Sequence, residues 1–244
     1  YLRIADGCDN RCSYCAIPLI RGDLRSFKED ELVEEAIRLV NSGVKELTLI
    51  AQDSSRYGFD WDRQLHLSSL LKKLDVIEGV RWIRILYLYP DEIPNDLIET
   101  IKNSKHILPY FDIPIQHGSD RMLKLMHRRS NAAEILERTT TIRKELPNAV
   151  LRTTVMTGFP GETLEDHKLN IELIKAVKWD HLGCFTYSKE EGTASYDMID
   201  DVPEEEKERR KKEIMMLQDE IVKDSREALV NQKTEVLIEG YEPL

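Results

Sequence analysis

The stretch Leu2-Arg3-Ile4-Ala5-Asp6-Gly7-Cys8-Asp9-Asn10-Arg11-Cys12-Ser13-Tyr14-Cys15 carries an apolar segment of strand character straight into three cysteines. Five later segments share that character: Leu47 to Ile50, Trp82 to Leu88, Tyr110 to Ile115, Val150 to Met156 and Leu182 to Tyr187. Several are almost continuously apolar, the pattern of buried parallel strands. Helical periods lie between them. Leu32, Val33, Ala36, Ile37 and Val40 share one face, with Ser26 and Glu29 spaced as a capping box and Gly43 as a stop. Leu67, Leu70, Leu71, Leu74 and Ile77 form a second stripe that ends before Gly79. Asn131 with Glu134 opens another helix, and Thr163 caps one whose stripe continues through Ile171, Ile174 and Val177. Successive strands stand roughly 30 to 45 residues apart, the scale of a βα crossover. The chain therefore predicts a parallel α/β domain, either an open sheet or a full or partial barrel.

Beyond the sixth strand the pattern changes. Val202-Pro203 leads into Glu204-Glu205-Glu206-Lys207-Glu208-Arg209-Arg210-Lys211-Lys212, then Ile214, Leu217, Ile221, Ala228 and Leu229. This reads as one long helix with a solvated charged face and an apolar stripe that packs on the main domain. Val236-Leu237-Ile238 reads as a single strand, the start of a small β module. The expected division is a core over residues 1–200, a packing helix over 201–232 and the start of the β module over 233–244. Because the sequence opens at Tyr1 rather than methionine, it is expected to be a fragment.

At 244 residues the chain can bury a substantial core. Its 35 Lys+Arg against 45 Asp+Glu give a net charge of −10, which disfavours non-specific binding to nucleic acid. No apolar run approaches the ~20 residues of a membrane span, and the N-terminus has no signal-peptide pattern. The expectation is a soluble cytoplasmic protein without membrane contact. Clustering of three of its four cysteines argues against a secreted disulfide framework and for metal binding in a reducing compartment.

Cys8, Cys12 and Cys15 form a C-x3-C-x2-C run in the loop after the first strand. Three thiolates so close together can converge on a cubane iron–sulfur cluster, and three ligands leave one iron open to substrate. A ferredoxin-type carrier would want a fourth nearby cysteine, and a zinc site a second pair or two histidines. A zinc or iron–sulfur protein that binds a partner without catalysis is the non-enzymatic alternative. Cys184, within the sixth strand, reads as an inert core residue.

The run, with Tyr14 before its last cysteine, resembles the signature of the radical S-adenosylmethionine superfamily. Together with Arg21-Gly22, Gln52-Asp53, Gln116-His117-Gly118-Ser119, Gly158-Phe159-Pro160-Gly161-Glu162-Thr163 and Tyr187-Ser188-Lys189-Glu190-Glu191-Gly192-Thr193, it resembles the methylthiotransferases over nearly the whole chain. The branch acting on transfer RNA usually has asparagine and serine where Asp53 and His117 stand here. With Tyr87-Leu88-Tyr89-Pro90 and Glu190-Glu191-Gly192-Thr193, these two look like the branch that modifies an aspartate of a small-subunit ribosomal protein.

The resemblance implies a partial parallel (βα)6 TIM-like barrel with one 4Fe-4S cluster on Cys8, Cys12 and Cys15 and exchangeable S-adenosylmethionine on the open iron. It implies reductive cleavage to a 5′-deoxyadenosyl radical that activates the aspartate β-carbon for methylthiolation. An external reductant such as flavodoxin or ferredoxin would be a partner. Methylthiolation of an adenosine in tRNA is the alternative within the same chemistry. Gln52, Asp53, Gln116 and Ser119 are then candidate cofactor contacts, against a plainer reading as caps and loop hydrogen bonds. Gly158 and Gly161 bracket a turn that would let backbone approach the nucleoside. Arg152 and Thr154 share a strand face and are candidate contacts from the barrel interior, or Arg152 makes a structural ion pair. His117 reads as a general base, a substrate contact or a satisfied polar residue, with contact favoured. No catalytic acid or base is assigned.

Full-length methylthiotransferases carry three further cysteines and a second 4Fe-4S cluster linked to sulfur donation, plus a C-terminal β module. Only Cys184 lies outside the motif here, so these residues are expected to cleave S-adenosylmethionine without completing methylthiolation.

Overall fold

The computed structural model describes residues 1–238 and 240. In chain order its elements are β1 (Leu2–Arg3), β2 (Ala5–Asp6), α1 (Ile17–Arg21), β3 (Arg25–Ser26), α2 (Glu29–Asn41), β4 (Glu46–Ile50), α3 (Phe59–Asp62), α4 (Leu67–Asp75), β5 (Trp82–Ile85), α5 (Asn95–Asn103), β6 (Ile107–Asp112), α6 (Asp120–Leu125), α7 (Ala132–Glu145), β7 (Val150–Thr157), α8 (Leu164–Val177), β8 (His181–Thr186) and α9 (Glu204–Ala228). Six strands form one parallel sheet in the order β1-β4-β5-β6-β7-β8. Each strand is added beside the one before it, without the reversal that defines a doubly wound sheet, so the architecture is that of an incomplete barrel. The first predicted strand divides: β1 joins this sheet, while β2 pairs antiparallel with β3.

The strands alternate rather than reading apolar throughout. Leu47, Leu49, Ile83, Ile85, Phe111, Leu151 and Val155 are buried beneath the helices. Glu46, Thr48, Trp82, Arg84, Tyr110, Arg152, Thr154 and Met156 are only half buried and line the other, concave face. Helices cover one face of an unclosed barrel, so only every second residue must be apolar. Glu46 and Arg84 pair at 2.6 Å on the concave side, and the Arg84 guanidinium lies 4.5 Å from the Tyr110 ring centre. β6 starts before the predicted Tyr110 because Ile83 pairs with Ile107 and Ile85 with Phe111. That mismatch is a bulge, and it accommodates Pro109.

The Asn131–Glu134 and Thr163–Asp166 capping boxes both form. The Ser26–Glu29 box does not: α2 starts after Lys28, and the Ser26 hydroxyl instead accepts the Gly58 N–H at 2.8 Å. Leu32, Ala36 and Val40 are buried on α2, whereas Ile37 is exposed. The charged start of α9 also departs from the expected solvated face, because Lys207 and Arg210 are buried and continue as one stripe into Ile214 and Gln218. Val236–Ile238 is not a strand; a strand requires a hydrogen-bonded neighbour, and none pairs with it among the described residues. Instead Glu235 pairs with Arg81, and Val236 and Leu237 lie near Trp82 and Tyr110. Residues 239 and 241–244 of the expected β module lie outside the described residues. Among the described residues, no helix is long and apolar enough to cross a membrane.

Candidate functional site

The three cysteines follow β2 and lie beside the carboxyl ends of the sheet strands. All three are free thiols; Cys8 and Cys12 are buried and Cys15 is half buried. Distant parts of the chain hold their loop. Cys8 N–H donates to Gly22 O, Ser13 N–H to Met126 O, and Ser195 N–H to Ser13 O at 2.7 Å. The Ser13 hydroxyl donates to Leu125 O, and Tyr14 packs on a cluster of Met122, Met126, Phe159 and Tyr187.

Each thiol has its own surroundings. The Cys8 sulfur accepts the Asn10 backbone N–H, but burial dominates and pushes the thiol up to about 11. Burial likewise raises Cys15, against a hydrogen bond from the Ile17 N–H. Cys12 Sγ lies 3.1 Å from the Tyr89 hydroxyl and 3.7 Å from Arg128 Nη1. Hydrogen-bond donors aimed at sulfur suit thiolates bound to iron, whose positive charge would reverse the effect of burial on the thiols. Among the described residues no three His, Cys, Asp or Glu side chains are grouped to share a single ion. A cubane makes no such demand, since each thiolate binds a different iron.

Asp53 braces this loop. It is buried, its carboxylate accepts Asn10 Nδ2 at 2.6 Å and both donors of Ser55, and Ser55 Oγ accepts the Tyr89 N–H at 3.1 Å. Burial raises the Asp53 carboxyl, opposed by the Ser55 and Asn10 hydrogen bonds. Behind Tyr89, Glu92 faces Arg56 and Arg129 at 3.6 and 3.0 Å. Burial, with Asp53 nearby, lifts Glu92 to about 7 despite the two arginines.

A second group of the expected residues gathers on β7 and its neighbour. Arg152 and Thr154 do share the concave face, with Arg152 Nε 3.7 Å from Asp112 Oδ1. Gln116, in a left-handed conformation at φ +72°, donates its N–H to Thr154 O and accepts the Met156 N–H. Gln52 is exposed just after β4, and Tyr87, also left-handed at φ +62°, ends β5 early with its ring half exposed. Such strain in non-glycine residues is typical of functional rims.

Besides Asp53, three expected contacts have internal partners instead. The Ser119 hydroxyl, buried, donates to Asp166 at 2.6 Å. His117 is fully buried: its Nδ1 accepts the Ser119 N–H at 2.9 Å, which leaves a proton on Nε2 facing Glu162 at 3.3 Å. It is a satisfied polar residue, not a surface for substrate. Gly158 has φ +73°, and a Cβ there would lie 2.1 Å from Lys207 Cγ, so α9 fills the space read as room for a nucleoside. Gly158→Ala is therefore expected to destabilise the fold by more than the ~1–2 kcal/mol of left-handed backbone alone. Adding Lys207→Ala should recover most of the excess, since only the Lys207 Cβ at 2.9 Å remains in the way, and urea midpoints that add without coupling would contradict the clash.

Residues the sequence did not single out complete the site: Asn10 and Ser55 in the Asp53 brace, Arg128 at Cys12, and Glu162 beneath Gly158. Asn10, Tyr89 and Glu162 were visible only as parts of motifs, and nothing local marks Ser55 or Arg128.

A cysteine loop at the mouth of an incomplete parallel barrel is the arrangement of the radical SAM superfamily, whose sequence profile matches residues 2–174; the chain belongs to that superfamily. Within it, the chain is similar to the ribosomal protein uS12 methylthiotransferases RimO. It is 48% identical to that of Lachnoclostridium phytofermentans, over 98% of this chain and 54% of the relative. It is 48% identical to that of Aquifex aeolicus, over 99% and 56%. The chain thus spans about half the length of the curated relatives it matches. Among solved structures, the fold is similar to coproporphyrinogen III oxidase HemN from Escherichia coli, a radical SAM enzyme, with TM-score 0.67, 16% identity and coverage of 90% of this chain and 51% of that one. It is also similar to the radical S-adenosylmethionine methyltransferase TsrM from Kitasatospora setae, with TM-score 0.65, 13% identity and coverage of 80% and 38%.

Proposed function

We propose that this chain is the radical-generating core of a methylthiotransferase acting on ribosomal protein uS12. The observation that carries the reading is the joint one of 48% identity across nearly the whole chain and three free cysteines held in one braced loop. Cys8, Cys12 and Cys15 would hold a 4Fe-4S cluster. With S-adenosylmethionine, that cluster supplies a 5′-deoxyadenosyl radical by one-electron cleavage of the sulfonium.

The protein's own residues orient and enclose. Asn10, Asp53, Ser55 and Tyr89 fix the cysteine loop against the ends of β4 and β5. Arg152, Thr154 and Gln116, with Gln52 at the rim, offer polar contacts to the cofactor from the concave face. Asp53, Ser119 and Gly158 act at one remove, by holding backbone in place. The phenyl and thioether groups of Phe159, Met122 and Met126 exclude water on the Tyr14 side.

Sulfur donation and docking of uS12 are assigned to residues beyond this sequence, where the relatives have roughly as much chain again. Anaerobic reconstitution with iron and sulfide, then dithionite and S-adenosylmethionine, is expected to give 5′-deoxyadenosine and a cluster spectrum that changes on adding the sulfonium. Neither appearing would refute the reading. A longer protein containing this chain should add methylthio mass to uS12 and none to tRNA; the reverse would transfer the proposal to tRNA.

A further inference from the structure

We propose that Tyr89 and Arg128 are positioning residues that raise the electron affinity of the cluster through Cys12. The proposal rests on the functional reading above, in which the cysteine triad holds a cluster.

The three sulfurs are not treated alike. Cys8 and Cys15 accept neutral backbone N–H groups, from Asn10 and Ile17. Cys12 alone has a phenol at 3.1 Å and a guanidinium nitrogen at 3.7 Å. Both donors are fixed independently of the sulfur. The Tyr89 backbone is tied to Ser55, and Arg128 donates through Nη2 to Pro114 O at 2.7 Å. The guanidinium centre lies 3.9 Å from the Tyr89 ring centre, so each side chain holds the other against Cys12. Asp53, a buried carboxyl, lies on the Cys8 side of the loop. The site is therefore polarised, with its cation at Cys12.

Reduction adds one electron from an external low-potential donor and neither makes nor breaks a bond. The extra negative charge spreads over iron and sulfur, and hydrogen bonds to the sulfurs set the potential of such clusters. A cation and an O–H held at one sulfur stabilise the reduced state more than the oxidised one. Neither donor has to reorganise when the electron arrives.

The test is a redox titration of the anaerobically reconstituted chain with dithionite as donor, read by electron paramagnetic resonance of the reduced cluster. At the potential where half of the unaltered protein is reduced, Arg128→Gln should lower the reduced-to-oxidised ratio at least about tenfold, equal to ~59 mV for one electron. Tyr89→Phe keeps the ring beneath the guanidinium and removes only the hydroxyl, so its ratio should fall about threefold, as suits a neutral donor. Arg128→Lys, which keeps the charge, should lie closer to the unaltered protein than Arg128→Gln does. Loaded variants that titrate with the unaltered protein overturn the proposal, and so does a loss of iron and sulfide at unchanged potential, which would make the pair mere scaffolding. If Arg128→Gln takes up no cluster, the Tyr89→Phe ratio decides. An unaltered chain that binds no cluster refutes the functional reading and this one with it, whereas a loaded chain with unshifted variants refutes this one alone.

Discussion

Replacing any one of Cys8, Cys12 or Cys15 with alanine is expected to leave a folded protein that no longer retains its cluster and forms no 5′-deoxyadenosine above background. Loss of an outer partner of a metal ligand typically costs about 10–100-fold in affinity or activity; loss of a ligand itself should exceed that. Most of the loop's supports are backbone ones: the Cys8, Ser13 and Cys15 N–H groups all donate to backbone oxygens, while the sulfur contacts with side chains are those of Tyr89 and Arg128 at Cys12. Circular dichroism and the urea midpoint should therefore change little. Cys184→Ala is the control. That thiol is buried on the helix-covered face of β8, and burial pushes it up to about 12, far from reactive. The variant should keep cluster and turnover while losing on the order of 1 kcal/mol for the vacated volume. Iron and sulfide analysis beside product chromatography separates these outcomes, and turnover persisting at the unaltered rate in Cys12→Ala would remove the cluster from the mechanism.

The largest effect on stability is expected at Glu162. Its carboxylate has no exposed surface and meets His117 Nε2 at 3.3 Å, Arg210 Nη1 at 3.2 Å and the Gly158 N–H, while Arg210 also donates to the Glu162 carbonyl. One side chain thus joins the loop after β6, the turn after β7 and α9. Glu162→Ala leaves buried Arg210 with Glu206, at 2.7 Å, as its remaining counter-charge and takes the acceptor from His117 and the Gly158 N–H, a change that costs on the order of 3 kcal/mol. For a domain of this size that is on the order of 10 °C in melting temperature. Burial alone would raise the Glu162 carboxyl, but His117, the Gly158 N–H and Arg210 outweigh it and hold the group below its usual range. Its contribution is accordingly complete above the unfolded value near ~4.3 and is lost as pH falls through the lower folded value. Urea midpoints of the unaltered and Glu162→Gln proteins should differ by a constant amount from neutral pH down to about 5 and converge below it. A gap that persists unchanged at pH 3 would contradict the ion cluster.

The parallel α/β order, the cysteine loop, the α4 stripe and two of three helix caps were legible because each depends on residues a few positions apart. What escaped depends on partners far along the chain. Asp53 and His117 stand out as motif residues, yet their partners, Asn10 and Glu162, lie 43 and 45 positions away and turn both inward. The start of α9 reads as solvated because its buried stripe begins with Lys207 and Arg210, and no hydrophobic period can register a stripe made of charge. These two are tolerated inside because Asp200 and Glu162 await them. Ser26 had the right spacing for a cap, but β3 took it into a ribbon with β2 and gave its hydroxyl to Gly58. The glycine at 158 was visible; its reason, the stem of Lys207, was not.

The supports of the cysteine loop also fix an order of assembly. Cys8 to Cys15 leave the ribosome well before Met126, Arg128 and Ser195, which supply its walls. A nascent chain therefore exposes three thiols with no enclosure until β8 and the segment after it are made, and contacts of such sequence separation form slowly. On the proposed reading, enclosure of a cluster waits for these late segments, and a chain that stalls before Ser195 presents oxidisable thiols in place of a site.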